Sequence, residues 1–155
     1  MSARDLVGLL VWIVVSFAPG VVGGRFLPGE WYRALDKPPW TPPGWVFGPA
    51  WTLLYLSMGV AAWLVWRERG WQRAALPLAV YGVQLVLNGL WSWLFFGLRR
   101  PDLALADIVA LWAVIATTIV TFWGVRPLAG AILLPYLAWV GFATALNASI
   151  WRRNG

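Results

Sequence analysis

No cysteine and no histidine occur among the 155 residues. Their absence excludes a disulfide, a thiol nucleophile, a Cys/His zinc site and a histidine general base. Haem iron would find only Met or Tyr as protein ligands. Charge is almost as scarce, at 12% of residues, against about 25% in a soluble domain. Paired carboxylates for acid/base catalysis are missing, and Gly20-Val21-Val22-Gly23-Gly24 lacks the Lys-Ser/Thr that completes a phosphate loop. What is plentiful is apolar: 61% of the chain is hydrophobic, with 14 tryptophans. Disorder needs the opposite composition. An integral membrane protein of one domain, residues 1–155, is what remains. The net charge of +6 sits at the ends of apolar segments, where it meets lipid headgroups, so no nucleic-acid partner is expected.

Charge-free stretches cover residues 6–24, 45–66, 74–98, 108–125 and 127–151. Each is near the roughly 20 residues that carry a helix across the hydrocarbon core. No alternation of apolar and polar positions suggests barrel strands. The expected fold is therefore all-α, a bundle of five transmembrane helices with a long ordered loop between helices 1 and 2. The first stretch is too long for a signal-peptide core and lacks Ala-x-Ala chemistry, so a retained helix is expected, kinked at Pro19-Gly20. Asp102 and Asp107 fall at the mouth of span 4, where they favour a helix N-terminus, and no acid is placed deep in a span. An ion-coupled pump then lacks its carboxylate.

Three connections are short, whereas Arg25 to Gly44 is long and carries Lys37-Pro38-Pro39-Trp40-Thr41-Pro42-Pro43-Gly44-Trp45. Prolines fix φ, so this segment reads as an ordered lid. Five spans put the termini on opposite faces. Arg4, Arg67, Arg69, Arg73 and Arg126 fall on one side, and Arg25, Arg33, Lys37, Arg99, Arg100, Arg152 and Arg153 on the other. The positive-inside rule thus favours a cytoplasmic C-terminus and long loop.

Trp45, Trp66, Trp71, Trp123 and Trp151 lie at span ends, where indoles settle at headgroup level. Trp51, Trp91 and Trp139 lie within spans. Lipid contact or core packing accounts for any one of them, and interhelical bonding for any one amide. Their spacing is more informative. Trp51 and Tyr55 are i,i+4 neighbours; Gln84, Asn88, Trp91 and Ser92 share one helical stripe; Tyr136, Trp139, Ala143 and Asn147 share another. An amide facing acyl chains costs several kcal/mol, so Gln84, Asn88 and Asn147 should point into the bundle. Amides converging with three indoles describe an apolar pocket with a few polar anchors. Gly20 with Gly24, and Gly141 with Ala145, have the spacing of close helix packing. Ala75, Ala79, Gly82 and Gly89 give span 3 a small-residue face.

Trp31-Tyr32, the Lys37–Phe47 run, Pro49-Ala50-Trp51-Thr52-Leu53-Leu54-Tyr55, Gln84-Leu85-Val86-Leu87-Asn88 with Trp91, and Pro135–Trp139 followed by Ala143–Asn147 together resemble the TspO/MBR family. These are the tryptophan-rich sensory proteins related to the translocator protein. The resemblance covers nearly the whole chain. It implies a membrane receptor, commonly a homodimer, whose pocket beneath the first loop takes porphyrins and other flat hydrophobic ligands. Carried over by position, Tyr32, Trp40, Pro43, Phe47, Trp51, Asn88, Trp91, Trp139 and Ala143 would line that pocket, and Tyr55, Gln84 and Asn147 join them from the stripes above. Some relatives degrade protoporphyrin with light and oxygen, which would make Trp51 and Trp139 catalytic. The family's cholesterol motif has Tyr where this chain has Ala148, so cholesterol binding through Leu146–Arg152 is not expected.

The reading from the resemblance is a receptor or sensor for porphyrin, with membrane lipid around it and no obligatory cofactor or metal. Arg33 and Lys37 are placed to meet a porphyrin's propionates. An enzyme that photo-oxidises porphyrin and a transporter of porphyrin or lipid-like molecules are the alternatives.

Overall fold

In the computed structural model, which describes residues 1–155, the chain is helical with no strand. Helix α1 (Ala3–Ser16) starts in a capping box: the Ser2 hydroxyl accepts from the Asp5 amide at 3.1 Å, and the Asp5 carboxylate accepts from the Ser2 amide at 3.3 Å. It breaks at Phe17, and α2 (Ala18–Gly23) restarts with Pro19 in its first turn. This is the expected kink, placed just before the proline because a proline suits a helix start better than a helix interior. Together α1 and α2 make span 1.

Span 2 is a 3₁₀ turn (Gly44–Val46) leading into α4 (Phe47–Arg73), and it runs beyond the expected residue 66. It kinks at Gly70, whose φ of +70° only glycine adopts at no steric cost, before its last residues to Arg73. Span 3 is α5 (Ala75–Ser92) finished by a π-helical turn (Trp93–Gly97). Span 4, α6 (Pro101–Val125), begins seven residues before the expected start at 108. Charge ended the apolar stretch at Asp107, but the backbone signal lies at Pro101, which needs no N–H donor at a helix start. Span 5 is α7 (Pro127–Ile132) and α8 (Leu134–Asn154). All five are long and apolar enough to cross a membrane.

Spans 1, 2, 5, 4 and 3 follow one another around a closed ring, with span 2 also touching spans 3 and 4. Gly59 sets the closest approach. A Cβ there would lie 2.7 Å from the Ile13 Cα, so spans 1 and 2 meet backbone to backbone. Gly20 similarly admits the Tyr55 ring, and Gly141 the Trp112 indole. Gly24 and Ala145 are exposed and bring no helix pair together. Gly89 packs against Pro19 and Val22 of span 1, which removes it from the outward small-residue face of span 3.

The long loop is ordered. It contains the short helix α3 (Glu30–Ala34). The Lys37 ammonium donates to the Tyr32, Leu35 and Arg33 carbonyls at 2.7, 3.2 and 3.4 Å and lies over the Tyr32 ring. Lys37 thus caps α3, and its charge is engaged within the loop rather than offered to a ligand. The loop is tied to the end of span 5. The Asp36 amide donates to Asn154 Oδ1 at 2.9 Å, Asn154 Nδ2 donates to the Asp36 carbonyl at 2.8 Å, and Arg153 pairs with the Asp36 carboxylate at 3.5 Å. Loop and C-terminus therefore share one end of the bundle.

Candidate functional site beneath the long loop

The i,i+4 pair of span 2 forms as its spacing requires: Trp51 stacks on Tyr55 with centroids 5.5 Å apart. Trp139 from α8 meets Trp51 at right angles, 6.4 Å away, and Tyr136 meets it edge-on at the same distance. Phe47 packs on Trp139 at 5.9 Å. These separations fall within the usual range for aromatic pairs. The loop closes over them through Trp40, which contacts Phe142 at 5.6 Å, and Phe142 in turn contacts Trp139 at 5.8 Å.

Under the rings lies a buried polar network. Asn88 Nδ2 donates to the Tyr136 hydroxyl at 2.7 Å, and that hydroxyl donates to Gln84 Oε1 at 2.7 Å. The Tyr55 hydroxyl donates to Asn88 Oδ1 at 3.4 Å, and Gln84 Nε2 reaches Met58 Sδ at 3.9 Å. Spans 2, 3 and 5 are thus joined at one level. Asn147 serves a second join: its Oδ1 accepts from the Trp91 indole at 2.9 Å, and its Nδ2 donates to the Pro101 carbonyl at 2.9 Å. All three amides point inward, where their desolvated groups find partners.

The expected lining residues fall into two neighbouring groups. Phe47, Trp51, Tyr55, Gln84, Asn88 and Trp139 form the first. Tyr32 belongs to the second, against Phe95 and Phe96, with Trp31 also on Phe95. Trp91 links them, stacked on Phe95 at 5.0 Å and packed against both cores. Ala143 packs against the core that holds Trp51 and Trp139. Pro43 is exposed at the start of the 3₁₀ turn, and Trp40 is 47% exposed. Burial pushes the Tyr32 hydroxyl above its ordinary pKa, so it is neutral at physiological pH.

Three features escaped the sequence reading. Tyr136 is the centre of the polar network, although it read only as a member of a stripe. Phe95 and Phe96 carry the floor of the loop without any spacing signal beyond a run of apolar residues. Asp107 is corrected outright: with α6 starting at Pro101, it stands on the second turn of the helix, 7% exposed, and neither carboxylate oxygen has a protein partner. The Trp139 indole N–H is likewise buried without an acceptor. No cluster of three or more acidic side chains can hold a metal ion.

Comparison with known proteins identifies the family. The TspO/MBR family model matches residues 9–152. The human translocator protein is 46% identical over 138 residues, covering 86% of this chain and 82% of the relative. A tryptophan-rich protein TspO from Archaeoglobus fulgidus is 40% identical, covering 97% and 99%. A tryptophan-rich sensory protein from Cereibacter sphaeroides is 41% identical, covering 94% and 90%. With the family model spanning almost the full chain and relatives matched along most of their length, the chain belongs to the TspO/MBR family.

Proposed function

We propose that this chain is an integral membrane receptor for porphyrins and similarly flat, hydrophobic molecules, held between Trp51 and Trp139 beneath the long loop. The carrying observation is the convergence of two indoles from different spans, roofed by Trp40 and Phe142 and underlain by the Tyr136–Asn88–Gln84 network. Indole faces offer a planar ring large apolar contact and offset stacking, about 0.5–1.5 kcal/mol per pair beyond burial. The Trp139 N–H, free of any protein acceptor, gives an orienting hydrogen bond. As described, the rings touch one another, so a ligand enters by parting Trp51 from Trp139 as the loop lifts. Arg33, exposed on the loop, is the basic residue available to a propionate.

A second reading has its own support in the direct contact of the two indoles. A light-excited porphyrin takes an electron from an adjacent indole and passes it to dioxygen, leaving superoxide and an indole radical cation. Trp51 and Trp139 are then the reactive pair: the indole radical recovers its electron from the porphyrin, so the porphyrin is the net electron donor and dioxygen the oxidant. We extend the proposal to a homodimer formed through the outward face of span 3, where Ala75, Ala79 and Gly82 remain.

Titration with protoporphyrin, followed by tryptophan quenching, tests the receptor reading. Saturable binding that weakens in Trp51→Ala and Trp139→Ala supports it, and affinity unchanged in both overturns the site. Illuminating the complex in oxygen then separates the two readings. A product with a new absorption spectrum establishes turnover, whereas bleaching at the rate of free porphyrin leaves a receptor.

A further inference from the structure

At the end of the bundle opposite the loop, span 1 and the end of span 2 enclose a groove of about 420 Å³ that the receptor reading does not use. Trp66 forms its wall, with Trp12 and Trp71 beside it. Trp71 lies 5.5 Å from Trp12 and 6.3 Å from Trp66, ring centre to ring centre. The groove follows α1 from Arg4 past Val7 to Val11, about 10 Å at the rise of an α-helix. Gly8 keeps it deep, since a Cβ there would collide with the Trp66 ring.

Its charge is of one sign. The Arg4 guanidinium sits over Trp66, 5.0 Å from the ring centre, and has no carboxylate partner. The nearby Asp5 is already paired with Arg67, at 3.6 Å. The Trp66 indole N–H is buried without an acceptor. Val7 and Val11 are exposed on a helix that crosses a membrane, so the groove opens toward lipid. One cation at headgroup level, indoles beneath it and an apolar channel running inward match one amphiphile: an anionic head on an acyl chain.

We propose that this groove is a binding site for a single anionic phospholipid, its phosphate on Arg4 and one acyl chain along Val7 and Val11 against Trp66 and Trp71. The guanidinium is held in place by the indole beneath it, so little side-chain freedom is lost on binding.

Native mass spectrometry of the detergent-solubilised full chain tests this, with phosphatidylglycerol or phosphatidylcholine of identical acyl chains added. The expected result is one phosphatidylglycerol retained per chain in preference to phosphatidylcholine. Arg4→Gln lowers retention about fivefold, the factor one basic residue contributes near an anionic membrane. Arg69→Gln removes the same charge at the same end but outside the groove, and leaves retention unchanged. Trp71→Ala weakens retention of both lipids. Equal retention of the two lipids, equal effects of Arg4→Gln and Arg69→Gln, or displacement by inorganic phosphate alone overturns the proposal. Porphyrin titration of Arg4→Gln stays at the parent value, so this site and the one beneath the loop succeed or fail separately.

Discussion

The hydroxyl of Tyr136 engages two amides at once, accepting from Asn88 and donating to Gln84. Tyr136→Phe removes it while keeping the ring, and leaves an amide donor and an amide acceptor buried without partners. Thermal unfolding in detergent should show a loss of about 1–3 kcal/mol, larger than for Tyr55→Phe, whose hydroxyl makes one longer bond. An unchanged melting temperature would mean that the amides find other partners. At this scale the sequence was legible wherever a residue's physics left one option. An amide in a lipid-spanning helix must face inward, and Gln84, Asn88 and Asn147 do. It was opaque where a side chain has two comfortable places. A tyrosine in an apolar stretch serves equally at the headgroup level or in a core, and only the amides that span 3 presents to it decide for Tyr136. Asp107 differs for a related reason: charge alone suggests a mouth, while Pro101 sets the helix start earlier.

Helix contacts turn on single glycines. A methyl group at Gly59 meets the Ile13 backbone, which no side-chain rotation relieves. Gly59→Ala should therefore cost about 1–3 kcal/mol, as overpacking does. Gly124→Ala near the end of α6 meets nothing within 4 Å and should be neutral or stabilising, because alanine is the better helix former. Denaturation midpoints of the two variants check the contrast; equal midpoints would contradict it. The loop depends on a different element contact. Asn154→Ala removes both bonds to the Asp36 backbone. Faster hydrogen exchange at residues 35–37, together with faster porphyrin release, is the expected result. The stiff lid was readable from its prolines, but its anchor on the end of span 5 was not, since nothing local relates Asp36 to a residue 118 positions away.

Across the whole molecule, the ring of five spans puts the N-terminus at one end and the loop with the C-terminus at the other. A chain without cysteine makes any introduced cysteine a unique reporter. Ser2→Cys and Asn154→Cys should react with an impermeant maleimide from opposite faces of sealed vesicles. The positive-inside rule predicts that position 154 faces the cytoplasm. Labelling of both positions from one face would refute an odd number of crossings. Span number and order were legible because the hydrocarbon thickness fixes helix length and connecting loops are short. The ring closure of span 5 on span 2 was not, because composition gives lengths and faces but no partners. The aromatic site exists only through that closure, which brings Trp139 to Trp51. The most direct measurement is thus a structure of the chain crystallised with protoporphyrin. The macrocycle is expected between Trp51 and Trp139, with the loop closed over it through Trp40. A porphyrin seated on the outer surface, with the two indoles still in contact, would contradict it.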